Sequence, residues 1–219
     1  MIQAVTRLPS LRSDNKTWCK ICGISEAQHV RLCAQLGVDA IGLVFVPESP
    51  RALSLAQAQV LAAAASIARV GLFVNSDAGF VTEAIAAGQL TLLQFQGDES
   101  PEYCRQFGLP YIRALQVTQD TDIGAFCKLH REASAILLDA YVPGQRGGTG
   151  QVFDWALWPD ESNTAFILAG GLTPTNVGEA IERLRPAGVD VSGGVEGPVK
   201  GKKDENLMRK FVREVQDVG

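Results

Sequence analysis

The chain has 219 residues, of which 46% are hydrophobic and 20% charged, and its formal net charge is −4. This length can bury the core of one domain or two small ones, and the composition is typical of globular proteins. The acidic balance offers no general basic surface for nucleic acid or an anionic membrane, and no apolar run reaches the roughly 18–20 residues that span a bilayer. We therefore expect neither nucleic acid nor membrane among the partners.

Residues 1–15 mix Arg7, Arg12 and Asp14 with scattered apolar residues and lack the apolar core of a signal peptide. We expect them to form a poorly ordered N-terminal extension, followed by a single catalytic domain over residues 16–219. The five cysteines are an odd number without the spacing of a disulfide scaffold. Together with the missing export signal, they favour a reducing cytoplasm as the location.

Short, continuously apolar runs alternate with amphipathic runs, and no linker divides the chain. Continuous apolar runs are typical of parallel strands that are covered on both faces. They predict strands at Thr17–Cys22, Ala40–Val44, Val70–Val74, Thr91–Phe95, Tyr111–Ala114, Ala135–Asp139, Phe166–Ala169 and Val189–Ser192. Helices are predicted between most of them, at Glu26–Leu36, Leu55–Ala65, Phe80–Ala87, Pro101–Phe107, Thr175–Leu184 and Asp204–Val215.

About eight strand-then-helix units are the number that closes a (β/α)₈ TIM barrel, an α/β fold with parallel strands. A doubly wound open sheet is the alternative, but no Gly-x-Gly-x-x-Gly follows the first strand. Good N-cap residues precede four of the helices, at Ser25, Ser54, Ser100 and Asp204. Glycines that suit a left-handed C-terminal cap follow three helices, at Gly37, Gly88 and Gly108.

The segment Trp18–Ile24 reads Trp-Cys-Lys-Ile-Cys-Gly-Ile and has two interpretations. As Cys-x-x-Cys it indicates a redox pair or half a zinc site, and as a strand it ends in a single thiol, Cys22. Strand alternation would turn Cys19 to the opposite face, roughly 10 Å from Cys22 at about 3.3 Å per residue, whereas a disulfide needs Cα atoms within about 7 Å. His29 and His130 stand alone, so no zinc set is completed. We favour the single thiol, with a small buried hydrophobe as the structural alternative.

Lys20 shares the inward face of the first strand with Cys22, one layer below it. A buried ammonium needs a partner, and Asp190 lies in the eighth strand, which neighbours the first in a closed barrel. We therefore expect an ion pair between Lys20 and Asp190 that helps to depress the pKa of the Cys22 thiol. The alternative is that Lys20 extends to the lower rim of the barrel.

Active sites of such barrels lie at the C-terminal ends of the strands. Asp139 ends the sixth strand, and the Gly-rich loop after it, which includes Gly148, either folds over a ligand or is a mobile surface loop. Glycine-rich turns follow strands seven and eight, where many barrels hold a phosphate through backbone N–H groups. This predicts a phosphate site at Gly170, Gly171, Ser192 and Gly193.

Three further polar side chains are predicted at strand ends. Arg51 follows Ser49-Pro50 after the second strand, and its fork suits a carboxylate or a phosphate, although a solvated surface arginine is the alternative. Gln94 and Gln96 share one face at the end of strand four. They either position polar groups of a substrate or fill the top of the barrel.

From about Lys20 to about Val212, the chain resembles the phosphoribosylanthranilate isomerase family of tryptophan biosynthesis. The resemblance rests on the order and spacing of many blocks, namely Lys20–Ile24, Gly42–Phe45, Ser49–Arg51, Val70–Asn75, Leu93–Glu99, Leu137–Asp139, Gly147–Gly150, Phe153–Trp155, Ala169–Leu172, Val189–Ser192, Gly194–Glu196 and Gly201–Asp204. It implies an Amadori rearrangement of a small phosphosugar–anthranilate substrate without a metal or organic cofactor, because the substrate supplies its own imine. A monomer or a homodimer is expected.

By the family pattern, Cys22 is the general base and Asp139 the general acid. The resemblance further implies that Arg51 holds the anthranilate carboxylate and that the backbone around the predicted phosphate site holds the phosphate. Lys20, Asp190, Gln94, Gln96 and Gly148 have supporting positions in the same blocks.

The chain departs from the family pattern at Gln96, where a histidine is common, and at Gly193, where a second serine is common. Three other functions remain open: another phosphate-binding barrel isomerase, a non-catalytic barrel and a thiol redox protein. The related isomerase of histidine biosynthesis is similar to enzymes that use two catalytic aspartates, whereas strand one of this chain ends in a cysteine, Cys22. A redox protein would require Cys19 and Cys22 to form a bridge.

Overall fold

The structure, a computed structural model, describes residues 16–140, 154–159 and 164–218. The predictions for residues 1–15 and for Gly148 lie outside these ranges. The boundaries of the extension and of the catalytic domain therefore stay predictions.

Eight parallel strands form one closed barrel in chain order, with β8 hydrogen-bonded to β1. The strands are β1 Trp18–Cys22, β2 Ala40–Val44, β3 Ala68–Phe73, β4 Leu92–Phe95, β5 Tyr111–Val117, β6 Ala135–Ala140, β7 Phe166–Leu168 and β8 Gly188–Val191. The predicted TIM barrel is confirmed. Several strand ends differ from the prediction by one or two residues, and Ser192 lies just past β8. The largest difference is at β5, which continues to Val117 because its pairing with β6 holds beyond the apolar run.

Seven α-helices lie in the described ranges: α1 Ala27–Gln35, α2 Leu55–Ala63, α3 Ala78–Gly88, α4 Pro101–Arg105, α5 Ile123–Leu129, α6 Val177–Leu184 and α7 Glu205–Val218. The described residues between β6 and β7 carry one short 3₁₀ turn, Trp155–Leu157. Within the part of the chain that the structure describes, no helix has the length and apolar character needed to cross a membrane.

Alternation along the strands separates two apolar layers. Outward side chains such as Cys19, Ile21 and Leu43 pack with the helices in one large cluster. Inward side chains such as Trp18 and Ile112 fill the lower barrel in a second cluster, while Cys22 lies higher, in a small group with Val44 and Leu72. The two cysteines of the first strand therefore point to opposite faces, as expected from their spacing.

Two local predictions about the helices were wrong, and one helix is additional to those predicted. The N-cap of α1 is Glu26 rather than Ser25, and it makes no side-chain capping hydrogen bond. Gly88 is the last helical residue of α3, and the left-handed position is taken by Gln89 with φ of 43°. Helix α5 was not predicted, and its N-cap Asp122 accepts a hydrogen bond from the N–H of Ala125 at 2.8 Å.

A buried ion pair fixes the loop after β4, which carries Gln96. The Arg113 guanidinium donates to Glu99 Oε2 at 3.0 Å and to the carbonyls of Phe95 and Gly97 at 2.6 and 3.0 Å. Glu99 in turn accepts hydrogen bonds from the N–H groups of Gly97 at 2.8 Å and Asn75 at 2.7 Å. The ends of β3 and β4 are thereby tied together beside the mouth of the barrel.

Candidate active site

One cavity of about 530 Å³ opens at the C-terminal ends of the strands. Ten of the twelve predicted site residues line it: Cys22, Arg51, Gln94, Gln96, Asp139, Gly170, Gly171, Asp190, Ser192 and Gly193. Of the other two, Lys20 is fully buried and Gly148 lies outside the described residues. Apolar side chains from β2, β3 and β6 complete the wall, including Val44, Leu72 and Leu137. The cavity therefore combines an apolar wall with a few polar groups, as small-molecule sites do.

Lys20 and Asp190 form the predicted ion pair inside the barrel. Their Cα positions are paired across β1 and β8, and Lys20 Nζ lies 2.5 Å from Asp190 Oδ2. Burial lowers the pKa of Lys20, but the Asp190 carboxylate and the Cys22 sulfur favour the charged form, and the pKa rises above its ordinary value. Lys20 is therefore a fixed cation beneath the thiol, and its extension to the lower rim is excluded.

The pKa of the Cys22 thiol is shifted in the direction opposite to the prediction. Burial raises this pKa above its ordinary value, and the Asp190 carboxylate adds to the effect. The Lys20, Lys203 and Arg51 cations lower the pKa but do not reverse the shift. The thiol form of Cys22 therefore predominates near neutral pH.

Alkylation of Cys22 by iodoacetamide, followed by peptide mass spectrometry, measures this shift. The thiolate is the reacting form, and a raised pKa means that its fraction keeps falling as the pH drops through the neutral range. We expect the Cys22 rate to rise about tenfold per pH unit from about pH 7 to beyond the ordinary thiol pKa of about 8.5. A rate already constant near pH 7 would show that the thiol is depressed instead.

Gly42 on β2 provides the space that the Cys22 thiol occupies. A Cβ atom at this position would lie 2.6 Å from Cys22 Sγ and 2.9 Å from its Cα. Any larger residue would have to displace the sulfur, since such contacts are far shorter than van der Waals distance. Gly42 lies in one of the family blocks, but no sequence pattern indicates that it makes room for the thiol.

Arg51 is buried and its guanidinium is paired with a residue that sequence reasoning did not assign to the site. Arg51 Nε donates to Glu196 Oε1 at 2.6 Å, and Nη2 donates to Oε2 at 3.0 Å. Arg51 is 7% exposed, which excludes the solvated surface arginine. The bidentate contact fixes the plane of the guanidinium at the edge of the cavity.

The two glycine-rich turns after β7 and β8 lie against each other. Gly170 and Gly171 have φ of 82° and 66°, a left-handed backbone that favours glycine. A Cβ atom on Gly194 would lie 1.8 Å from the carbonyl oxygen of Leu172, so only glycine permits this approach. Backbone groups of both turns therefore reach one region of the cavity, together with Ser192, whose Oγ donates to the Cys22 carbonyl at 3.2 Å.

Gln94, Gln96 and Asp139 line the cavity from β4, its following loop and β6. Gln94 Nε2 donates to Gln96 Oε1 at 3.2 Å, so the two amides act as a pair. Asp139 is 6% exposed and lies on a strand that does not neighbour β1. Cys22 and Asp139 thus enter the same cavity from two separate parts of the barrel.

The alternative readings of the cysteines find no geometric support. The five cysteines all lie in described residues, and none forms a disulfide. In the described ranges, no group of three or more histidine, cysteine, aspartate or glutamate side chains could hold a metal ion. Cys19 is packed in the outer apolar layer, away from the cavity.

Comparison with known proteins decides the family. The family model described as N-(5'-phosphoribosyl)anthranilate (PRA) isomerase matches residues 19–214. The chain belongs to the PRA isomerase family. A PRA isomerase from Azotobacter vinelandii is 52% identical over 200 residues, which cover 90% of this chain and 97% of the relative.

Two solved structures of PRA isomerases support the same assignment. The enzyme from Thermotoga maritima superposes with a TM-score of 0.83 at 35% identity, covering 92% of this chain and 99% of that one. A PRA isomerase in complex with reduced 1-(o-carboxyphenylamino)-1-deoxyribulose 5-phosphate superposes with a TM-score of 0.78 at 32% identity, with 92% and 99% coverage.

Proposed function

We propose that the protein isomerises N-(5'-phosphoribosyl)anthranilate to 1-(2-carboxyphenylamino)-1-deoxyribulose 5-phosphate in tryptophan biosynthesis, with Cys22 as general base and Asp139 as general acid. The observation that supports these assignments best is the shared cavity. Cys22, Asp139, Arg51 and the two glycine-rich turns all line it. The substrate offers a matching group to each of them: a C2′ proton, a ring oxygen, a carboxylate and a phosphate.

The reaction begins when Asp139 donates a proton to the furanose ring oxygen. The bond between that oxygen and C1′ breaks, and the nitrogen lone pair forms the C1′ iminium. Cys22 then takes the C2′ proton as a thiolate, and the C–H electron pair neutralises the iminium to give an enolamine. Proton uptake at C1′ and loss of the C2′ hydroxyl proton give the ketone. No external oxidant or cofactor enters this balance.

A raised thiol pKa is compatible with the base function of Cys22. The Lys20 ammonium lies beneath the sulfur and stabilises the thiolate, although burial outweighs this effect. A thiolate with a higher pKa is a stronger proton acceptor, so each thiolate that forms removes the C2′ proton faster. The buried site therefore combines a smaller thiolate fraction with a stronger base.

Recognition of the two substrate ends is assigned to two separate groups of residues at the cavity mouth. Arg51, whose Nε and Nη2 are held by Glu196, would present Nη1 to the anthranilate carboxylate. Backbone N–H groups near Gly170, Gly171 and Gly193 would bind the phosphate, as glycine-rich turns of such barrels do. The Gln94–Gln96 pair would contact the sugar hydroxyls between them.

The activity is tested by generating N-(5'-phosphoribosyl)anthranilate in the cuvette and following the loss of its fluorescence. Addition of the protein should accelerate that loss far beyond the spontaneous rate. The product should be identified by mass spectrometry and by its further conversion in a coupled assay, since spontaneous hydrolysis to anthranilate also consumes substrate. No acceleration over a heat-denatured sample would exclude the proposed function.

A further inference from the structure

Glu196 and Lys203 are buried charges beside the cavity that no chemical step uses. Their side chains are 5% and 0% exposed, and their backbones form an isolated antiparallel bridge after β8. Buried ion pairs contribute little net stability compared with apolar side chains of similar volume. The contacts of the two residues point to a function at the substrate site instead.

Glu196 collects donors from three directions. Its carboxylate accepts hydrogen bonds from Nε and Nη2 of Arg51, from the N–H of Gly201 at 2.9 Å and from the Lys203 ammonium at 3.0 Å. Burial raises the pKa of Glu196, but the hydrogen bonds and nearby cations outweigh burial and bring it to about 2. Glu196 is therefore a permanent anion that fixes the direction of Arg51.

Lys203 extends this network to the predicted phosphate site. Its Nζ donates to the carbonyl oxygen of Ser192 at 2.9 Å and lies 3.4 Å from Ser192 Oγ. The Ser192 carbonyl belongs to the same peptide unit as the N–H of Gly193, one of the groups assigned to the phosphate. A cation on a carbonyl oxygen polarises the peptide and strengthens its N–H as a donor.

The cavity lining itself contains few cations that could bind a phosphate. Among the described lining residues, Arg51 and Lys200 are the cations, and Lys200 is solvent-exposed. Arg51 Nη2 would lie 3.8 Å from a Cβ atom on Gly193, but this guanidinium is assigned to the carboxylate and is already paired with Glu196. Lys203 supplies positive charge from behind the Ser192–Gly193 peptide.

We propose that Glu196 and Lys203 are positioning residues that organise the two ends of the substrate site, Glu196 by fixing Arg51 and Lys203 by fixing and polarising the Ser192–Gly193 peptide. This inference rests on the proposed function, because it assigns the carboxylate and phosphate ends as above. It predicts that the two residues affect the two ends differently.

The test uses inorganic phosphate and anthranilate as separate competitive inhibitors of the isomerase. In Lys203→Met, we expect the inhibition constant of phosphate to rise about tenfold, because a charge-assisted contact behind one donor is lost. The constant of anthranilate should stay within about twofold, since the Arg51–Glu196 contact remains. In Glu196→Gln, both constants should rise, because Arg51 and Lys203 both lose their shared anion.

Lys202→Met is the matched control. Lys202 is the neighbouring lysine, but its side chain is 59% exposed and pairs with Glu26 on the surface, so neither constant should change. Lys203→Gln is a gentler second variant, in which a neutral amide replaces the ammonium, and it should weaken phosphate binding more than anthranilate binding. Thermal unfolding of every variant checks that the fold is retained.

Several outcomes would overturn the inference. An unchanged inhibition constant of phosphate in folded Lys203→Met would contradict it. An equal rise in the inhibition constants of phosphate and anthranilate would also contradict it, because that indicates general damage to the site. If neither Lys203 variant folds, Lys203 serves the stability of the barrel instead. If phosphate does not inhibit the wild-type enzyme, the proposed phosphate site does not exist. An inactive wild-type protein would instead overturn the proposed function, and calorimetry with the same two probes would still test the positioning residues.

Discussion

Replacement of Asp139 by asparagine is expected to lower kcat by about 10²–10⁴-fold, the usual contribution of one general acid. The amide keeps the size and much of the hydrogen bonding of the carboxyl group but cannot deliver a proton to the ring oxygen. The substrate would still bind through its carboxylate and phosphate ends, so KM should change far less than kcat. Steady-state fluorescence assays of purified Asp139→Asn measure both parameters.

Two comparisons make this result specific. Gln116→Asn changes the neighbouring residue in the β5–β6 register and should leave kcat within about threefold of wild type. In the double variant Asp139→Asn/Cys22→Ala, kcat should fall by much less than the product of the two single-variant decreases, because acid and base act in one reaction sequence. Wild-type kcat in folded Asp139→Asn would exclude Asp139 as the acid.

Replacement of Lys20 by methionine is expected to destabilise the fold by about 3–5 kcal/mol, the cost of leaving one partner of a buried ion pair alone. Asp190 would remain inside the barrel without its cation, with its Oδ1 already lacking a hydrogen-bond partner in the described structure. Loss of the cation should also raise the pKa of Cys22 further and slow its alkylation at neutral pH. Urea denaturation and the alkylation assay measure the two effects.

The double variant Lys20→Met/Asp190→Asn separates pairing from packing. If the cost comes from the unpaired carboxylate, the double variant should regain a large part of the lost free energy of unfolding. The exposed pair of Arg183 and Glu179 on α6 provides a control, because breaking it should cost below about 1 kcal/mol. Additive losses in the double variant would contradict the importance of the ion pair.

The sequence was sufficient for the barrel and for its inward-facing residues because both depend on local alternation. Eight apolar runs gave the number of strands, and the period of two along β1 separated Cys19 from Cys22. The neighbouring positions of the first and last strands in a closed barrel gave the Lys20–Asp190 pair. Each of these predictions needs only the order of strands and not their coordinates.

Other features depend on contacts between residues that lie far apart in the chain, and no local sequence pattern contains these. Helix α5 has only seven residues and carries Gly124, so the apolar stripe of Ile123, Phe126 and Cys127 that packs on the core is too short to stand out in the sequence. Glu196 and Lys203 look like surface charges in a loop, and only the packing of that loop on Arg51 shows that they are buried. The sign of the Cys22 pKa shift is a balance between burial and three cations, which the sequence cannot weigh.

The central claim is that the inward thiol of β1 performs the chemistry and the outward thiol only packs. The most direct test compares Cys22→Ala with Cys19→Ala in the fluorescence assay, after thermal unfolding shows that both are folded. We expect kcat to fall about 10²–10⁴-fold in Cys22→Ala and to stay within about threefold in Cys19→Ala, which loses one buried sulfur from the outer layer. A Cys22→Ala enzyme that turns over at the wild-type rate would contradict the assignment of Cys22 as the base.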